Sequence, residues 1–222
     1  MMLWGFDISN WQNGLNAGNL DCAFVIMKAT EGTFFVDPLC DIFVQQVKQA
    51  GKLWGFYHFA RENSPEAEAE FFHNETRGYD RQGVPVLDYE VWNLNYDDVE
   101  WCERFMTRYH ELTGVWPMLY ISASHCNQFH NSWIPQKCGL WAAGYPDTMP
   151  SDFSCPYDVS PWEFAAIWQY TSSEVRQGHS LDANIAYMDD AAWFKYARAE
   201  SPNPEPVKEK KTITGRVTIE LD

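Results

Sequence analysis

The segment from Pro85 to Glu90 carries two carboxylic acids, Asp88 and Glu90, at the end of an apolar run. Side chains two residues apart on a strand point to the same face, so both carboxylates are predicted to face one space and Tyr89 the opposite side. A protonated acid beside an ionised one is a pair suited to general acid–base chemistry. The same pattern is also typical of a strand that simply ends in solvent.

Three further acids stand at the ends of predicted strands. Asp7 closes the first apolar run, Glu31 follows the second, and Asp182 lies in the last. Carboxylates crowded into one cleft raise one another's proton affinity, which creates the contrast between an acid and its ionised partner. Acids recurring where strand ends converge therefore favour a catalytic cleft.

Aromatic residues also lie at or near the predicted strand ends. Flat rings beside carboxylates suit a sugar, whose apolar faces stack while its hydroxyls reach polar groups. Any single ring has ordinary core packing as the alternative, so the set matters more than one member. The predicted sugar-contacting side chains include Tyr57, Tyr120, Trp141, Tyr145 and Trp168, with Glu31 beside them.

No metal site or cofactor is predicted. The six histidines include no pair at the i, i+4 spacing of a helical zinc motif, and no glycine-rich phosphate loop is present. His58, at a strand end, is placed in the pocket, with a hydrogen-bonded structural role as the alternative. The six cysteines lack a Cys-x-x-Cys pair and are expected to be free buried thiols rather than a disulfide framework.

The elements that position these residues alternate between short β-rich runs and helical patterns, which is typical of a mostly parallel sheet. Helices are clear in the first half, whereas the later connections are short or proline-rich. We expect an α/β fold, an irregular (β/α) TIM-like barrel of about eight strands with incomplete helices in the second half. The predicted strands are Leu3–Ile8, Phe24–Ala29, Leu53–Phe59, Val84–Glu90, Met118–Ser122, Leu140–Ala143, Ala165–Tyr170 and Leu181–Ile185.

The composition changes near the end of the chain. Residues 1–199 are interpreted as one catalytic barrel, residues 200–211 as a proline-rich charged linker, and residues 212–222 as the β-like start of a truncated C-terminal module.

Charge and hydropathy exclude several classes of protein. Sixteen Lys and Arg against 31 Asp and Glu give a net charge of −15, which repels nucleic-acid phosphates and anionic lipid surfaces. No apolar run reaches the length of about 20 residues that a membrane span requires. No signal peptide is recognised, and a monomer is expected.

Seven segments, in order, resemble glycoside hydrolase family 25, the lysozymes that act as N-acetylmuramidases and include many phage endolysins. The resemblance extends from about residue 3 to about residue 198. The segments are residues 5–12 (GFDISNWQ), 24–32 (FVIMKATEG), 55–59 (GFYHF), 85–90 (PVLDYE), 140–145 (LWAAGY), 168–171 (WQYT) and 181–184 (LDAN).

The resemblance implies a flattened barrel that cleaves the β-1,4 bond between N-acetylmuramic acid and N-acetylglucosamine in bacterial peptidoglycan. By motif, Glu90 corresponds to the general acid and Asp88 to the nucleophile or the carboxylate that steadies the acetamido group. Asp7 and Asp182 correspond to further acids of the cleft. Ala183 departs from the family pattern beside Asp182. An endolysin released on host lysis, or a protein secreted by a non-classical route, would match the absent leader.

The spacing of the two acids favours retention of configuration. Residues two apart on a strand have Cα atoms about 6.5 Å apart, so their carboxylates could approach the ~5 Å separation of retaining glycosidases. Two alternatives stay open: a non-catalytic carbohydrate-binding barrel, which the acid set argues against, and a chitinase-like enzyme, whose Asp-x-x-Asp-x-Asp-x-Glu run is missing.

Overall fold

The computed structural model describes residues 2–61, 63–90 and 96–198 of the chain. The predicted linker at residues 200–211 and the β-like segment at residues 212–222 lie outside the described residues, and both stay predictions. In the described part, no helix is long and apolar enough to cross a membrane.

Nine strands form one sheet in this part of the chain, and eight of them close into a barrel. Neighbours around the barrel run in the order β1, β9, β8, β7, β6, β5, β4, β2 and back to β1, with β3 added outside β2. The predicted fold class, an irregular α/β barrel of about eight strands, is therefore confirmed. The strands are β1 (Leu3–Ile8), β2 (Phe24–Glu31), β3 (Phe35–Val36), β4 (Leu53–Phe59), β5 (Val84–Asp88), β6 (Met118–Ser122), β7 (Leu140–Ala143), β8 (Ile167–Arg176) and β9 (His179–Ala186).

Three long helices cover the first half of the barrel, and short ones follow. As expected from the proline-rich connections, the segment between β7 and β8 has no helix among its described residues. The helices are α1 (Cys40–Gln49), α2 (Pro65–Thr76), α3 (Tyr96–Thr113), α4 (Ile134–Lys137) and α5 (Asp190–Ala197).

The helix boundaries follow local signals. Helix α1 buries Phe43, Val44 and Val47 on one face and is followed by Gly51 at φ +69°, a conformation that favours glycine. Helix α2 begins at a first-turn proline, as predicted. Ser64 makes no capping bond, because its hydroxyl instead donates to the Glu66 carboxylate at 2.9 Å.

The barrel closes through an antiparallel hairpin. Strands β1, β2 and β4 to β8 run parallel, whereas β9 is antiparallel to both β8 and β1. Gln177 and Gly178 both have positive φ, +50° and +81°, as a two-residue hairpin turn requires. Such a short connection allows only antiparallel pairing, so the last strand enters the barrel in the opposite direction.

Alternation along the strands places apolar side chains inside the barrel and polar ones at its carboxyl end. Along β5, Val84 and Val86 belong to the inner core and Asp88 follows them on the same face. At the amino end, Trp193 of α5 stacks near Phe24 at 4.7 Å and donates its Nε1–H to the Trp54 carbonyl at 3.3 Å. Helix α5 thus closes the bottom of the barrel.

Candidate active site

A cavity of about 280 Å³ opens at the carboxyl ends of the parallel strands. Its lining comes from almost every barrel strand and combines four carboxylates with aromatic rings and one lysine. The lining residues are Asp7, Ile8, Ser9, Trp11, Gln12, Lys28, Tyr57, Phe59, Asp88, Glu90, Tyr120, Trp141, Gln169 and Asp182.

Asp7 and Asp182 meet because β1 and β9 pair in register at these two residues. Antiparallel pairing brings the beginning of β9, and not its end, to the carboxyl end of β1. Burial raises the pKa of Asp7 well above its ordinary value, and the Asp182 carboxylate raises it further. Burial and the charge of Glu90 raise the pKa of Asp182 to about 6.

Two amides hold the Asp7 carboxylate in place. Its Oδ2 accepts hydrogen bonds from Gln169 Nε2 at 2.9 Å and from Asn184 Nδ2 at 2.8 Å. Gln169 and Asn184 are buried, so these donors are fixed in orientation. The hydrogen bonds favour the ionised carboxylate and partly oppose the effect of burial on its pKa.

Asp88 is the last residue of β5, and its side chain is buried. Its Oδ1 has no hydrogen-bond partner among the described residues. Burial raises the pKa of Asp88 well above its ordinary value, Glu90 and Asp7 raise it further, and Lys28 opposes the rise. The pKa of this carboxyl therefore depends on the charges that share its cavity.

Glu90 lies two residues beyond Asp88 and is exposed at the mouth of the cavity. Strand β5 was predicted to reach Glu90 but ends at Asp88. The orientation is nevertheless kept, because the Tyr89 backbone N–H donates to the Tyr120 carbonyl at 3.0 Å and the Tyr89 ring is buried in the outer core. The two acids consequently line the same cavity.

A second cavity, of about 450 Å³, adjoins the first. Glu90 and Tyr120 line both cavities, so Glu90 stands at their boundary. The second cavity is also lined by Ser122, His125 and Tyr145. Together the two cavities provide space on either side of a potential proton donor.

Two tyrosines converge on the amide that holds Asp7. Tyr120 Oη and Tyr145 Oη donate to Gln169 Oε1 at 2.9 and 2.6 Å. Trp141 Nε1 donates to Asn184 Oδ1 at 2.8 Å. The aromatic side of the site is thereby connected to its acidic side.

Sequence comparison agrees with this arrangement: residues 6–179 match the sequence profile described as "Glycosyl hydrolases family 25". The chain belongs to this family. A match of that extent includes β1 to β8 and the acids Asp7, Asp88 and Glu90. The chain is therefore a glycoside hydrolase.

Individual relatives are similar over most of the chain. An N,O-diacetylmuramidase of Chalaropsis sp is 32% identical over 193 residues, 74% of this chain and 86% of the relative. Lysozyme M1 of Streptomyces globisporus is 30% identical, covering 81% of this chain and 65% of the relative. The solved muramidase of Trichobolus zukalii superposes with a TM-score of 0.74 at 28% identity, covering 88% of this chain and 99% of that structure.

The structure places three of the predicted site residues of this family 25 hydrolase outside both cavities. His58 is fully buried between Thr30 Oγ1 and Glu68 Oε2, each at 2.8 Å, so it has the structural role. Trp168 is buried on the outer face of β8 and donates to the Gly144 carbonyl at 2.8 Å. Both point outward because they alternate with the inward-facing residues Tyr57 and Gln169.

Glu31 lies at the end of β2, where it pairs with Lys28 and with Arg61 at 2.6 Å. Although burial opposes it, hydrogen bonds from these two cations lower the pKa of Glu31. Its carboxylate therefore holds Lys28 at the edge of the cavity. Tyr145 lines the second cavity, and Tyr57, Tyr120 and Trp141 line the first.

Seven residues that line the first cavity were not among the predicted site residues, and three of them, Lys28, Gln169 and Trp11, bear on the chemistry. Lys28 and Gln169 face inward on β2 and β8, and strand alternation counted from Ile26 and Ile167 would have indicated both. Trp11 follows β1 with 84% of its surface exposed beside the cavity. No group of acidic, histidine and cysteine side chains suited to a metal ion occurs in the described ranges.

Proposed function

We propose that this chain is a lysozyme that hydrolyses the β-1,4 bond between N-acetylmuramic acid and N-acetylglucosamine in bacterial peptidoglycan, with retention of configuration. The observation that carries the proposal is the position of Glu90, between two cavities and beside the buried Asp88. Family membership and the muramidase and lysozyme names of its relatives support the substrate.

Glu90 is proposed as the general acid. A sugar on each side of its carboxyl group would bring the linking oxygen next to Glu90, because both cavities end there. Protonation of that oxygen by Glu90 lets the leaving sugar depart with its hydroxyl group, and Glu90 as carboxylate then activates the incoming water.

Asp88 is proposed as the carboxylate that meets the developing positive charge. Its side chain is buried at the cavity wall, where an anion interacts more strongly with a cation than it does in water. Attack by Asp88 itself, or by the acetamido oxygen of the substrate oriented by Asp88, gives retention in either case. Mass spectrometry of a trapped intermediate distinguishes a glycosyl–Asp88 ester from an oxazoline.

The remaining lining residues are proposed to hold the sugar. Asp7 and Asp182 accept hydrogen bonds from hydroxyl and acetamido groups, and Trp11 offers an exposed indole face for stacking. Tyr57, Tyr120, Trp141 and Tyr145 form the aromatic part of the walls. No cofactor is assigned a role in these steps.

Product analysis tests the proposal directly. Purified peptidoglycan is digested, the products are reduced with borohydride, and the newly formed reducing sugar is identified. The proposal requires muramitol, with the β-anomer formed first by NMR. Glucosaminitol as the new product would overturn the muramidase assignment, and the absence of any new reducing end would favour a carbohydrate-binding barrel.

The place of action that follows from this substrate is the bacterial cell wall. We further propose that the protein acts there as a monomer, after release on host lysis as an endolysin or by secretion. Light scattering at micromolar concentration, and fractionation of producing cells before and after lysis, test these two points.

A further inference from the structure

A third cavity, of about 330 Å³ and polar, lies at the end of the barrel opposite the carboxylates. Its walls come from the segments that precede β6 and β7 and from the last turn of α5. Its polar and aromatic lining consists of His110, Trp116, Lys137, Lys195, Tyr196 and Arg198. The proposed hydrolysis uses none of these residues.

The charge of this cavity is opposite to that of the molecule. The chain has only 16 lysines and arginines and a net charge of −15, yet Lys137, Lys195 and Arg198 line one cavity together with no carboxylate in its lining. An anion bound in this cavity would interact favourably with all three cations.

Two arginines outside this cavity are neutralised by ion pairs. Arg104 binds Glu66 at 2.8 Å, and Arg108 binds Glu70 and Glu111 at 2.8 and 2.9 Å. In contrast, within residues 2–61, 63–90 and 96–198, none of the three cavity cations has a carboxylate at ion-pair distance. Within the described residues, no ion pair occupies their charged groups.

Aromatic rings line the cavity, and two rings contact one of its cations, Lys137. Lys137 Nζ lies 4.8 Å from the Trp116 ring centroid and 5.2 Å from that of Trp133. His110 stacks on Trp116 at 3.9 Å with an interplanar angle of 10°. Tyr196 packs against Gly139 where a Cβ atom would collide with its ring. The cavity therefore has rigid walls as well as positive charge.

We propose that this cavity binds a phosphate group, and that in the cell wall the group belongs to a phosphate-bearing polymer attached to peptidoglycan. Three ammonium or guanidinium groups around one space match an anion with several acceptor oxygens. The volume exceeds that of a phosphate, and the exposed part of Trp116 can contact the adjoining polyol or sugar. The choice of polymer rests on the proposed action at the wall.

Such a contact would have a physical benefit for this particular chain. Anionic wall polymers repel a protein of charge −15 at low ionic strength. A local cationic cavity converts the same polymer into a point of attachment. Because the cavity lies at the amino ends of the strands, attachment would leave the carboxylate-lined cavity facing away from the polymer.

The test compares two double variants with equal changes in charge. Lys137→Gln with Lys195→Gln removes two cavity cations, and Arg104→Gln with Arg108→Gln removes two cations outside it. Both are made in the full chain carrying Glu90→Gln, so that the walls are not digested during the measurement. Retention is measured by sedimentation on intact walls and on walls stripped of phosphate polymers, and inorganic phosphate is titrated by NMR.

We expect the cavity variant to bind intact walls about tenfold more weakly than the parent, and stripping the walls to weaken the parent to the same extent. The outside variant should behave as the parent, and phosphate should shift cavity resonances of the parent and of the outside variant but not of the cavity variant. Equal retention of the two double variants would overturn the proposal. Phosphate shifts without any effect of stripping would overturn the assignment to the wall polymer. Lysis by the Glu90→Gln protein would instead contradict the proposed catalytic role of Glu90. Hydrolysis of soluble muropeptides by cavity variants that keep Glu90 checks this catalytic role separately.

Discussion

At the scale of single residues, the site depends on which charges share one cavity. Asp88, Asp7 and Asp182 all have raised pKa values, with burial as the largest cause in each case. Lys28 is the lining cation that acts against this rise at Asp88. Removing one charge from the cavity should therefore change the ionisation of the others.

Glu90→Gln is the direct test of the proposed acid. An amide cannot supply the proton to the leaving oxygen, so kcat on peptidoglycan should fall by about 10²–10⁴-fold while the urea unfolding midpoint stays near that of the parent. Turbidity loss of purified walls measures the rate. Glu163→Gln, an exchange of the same kind at an exposed residue that lines neither cavity, should leave the rate unchanged. Parent-like lysis by a folded Glu90→Gln protein would refute the assignment.

Lys28→Met tests whether Asp88 acts as a carboxylate. Lys28 lowers the pKa of Asp88, so its removal should raise that pKa and move the acid limb of the kcat/KM profile to higher pH. Arg61→Met removes the other partner of Glu31 and should leave the limb in place. An unchanged limb in Lys28→Met would mean that another group controls it.

The two acids and most of the aromatic lining could be predicted from residue types at strand ends. The direction in which each side chain points, however, depends on its exact position within the strand. His58 and Trp168 were assigned to the pocket from their neighbourhood, and the structure shows that each alternates outward into a packed layer. Gln169, between two aromatic residues, binds Asp7 and both tyrosines and was not singled out. Its role depends on contacts 24 to 162 residues away, which spacing does not reveal.

At the scale of elements, the parallel strands and first three helices follow from apolar periodicity and glycine or proline boundaries. The antiparallel return of β9 was not predicted, since its direction is decided by the two-residue turn at Gln177 and Gly178. The extent of β8, which continues to Arg176 beyond the barrel, also exceeded the prediction. Polar residues in that extension carry no clear strand periodicity.

Close approach of two inner strands gives a prediction at this scale. The Phe24 ring occupies the space where a Cβ of residue 5 would lie. Gly5→Ala should therefore lower the free energy of unfolding by about 1–3 kcal/mol through overpacking. Gly78→Ala, where nothing lies within 4 Å of the added carbon, should be close to neutral. Urea unfolding compares the two, and equal midpoints would show that the barrel relaxes around Phe24.

At the scale of the whole molecule, the carboxylic side chains clustered in the first cavity lower the free energy of unfolding at neutral pH. The pKa of Asp182 is about 6 in the folded protein, above its unfolded value of about 3.9. Between these values the folded state binds more protons than the unfolded state. The contribution of Asp182 to stability therefore falls as pH rises from about 4 to about 6, and stays low above that range.

Asp182→Asn should remove this loss. At pH 7 the variant should be more stable than the parent by roughly 1 kcal/mol, allowing for the partial exposure of the side chain, and at pH 4 the two should be nearly equal. Thermal unfolding at both pH values measures the difference. Glu163→Gln removes the same charge from an exposed position outside the cavity and should show no such dependence. If the stability of the variant relative to the parent were lower at pH 7 than at pH 4, the predicted direction of the effect would be wrong.

The pairing of β9 with β1 has a consequence for how the protein is made. Asp7 is translated well before the strand that supplies Asp182 and Asn184, which follows about 175 residues later. Until that strand docks, Asp7 lacks one of its two amide donors, Asn184, and its acidic neighbour, Asp182. A nascent chain is therefore unable to assemble the complete cleft, so hydrolysis must wait until nearly the entire barrel has been translated.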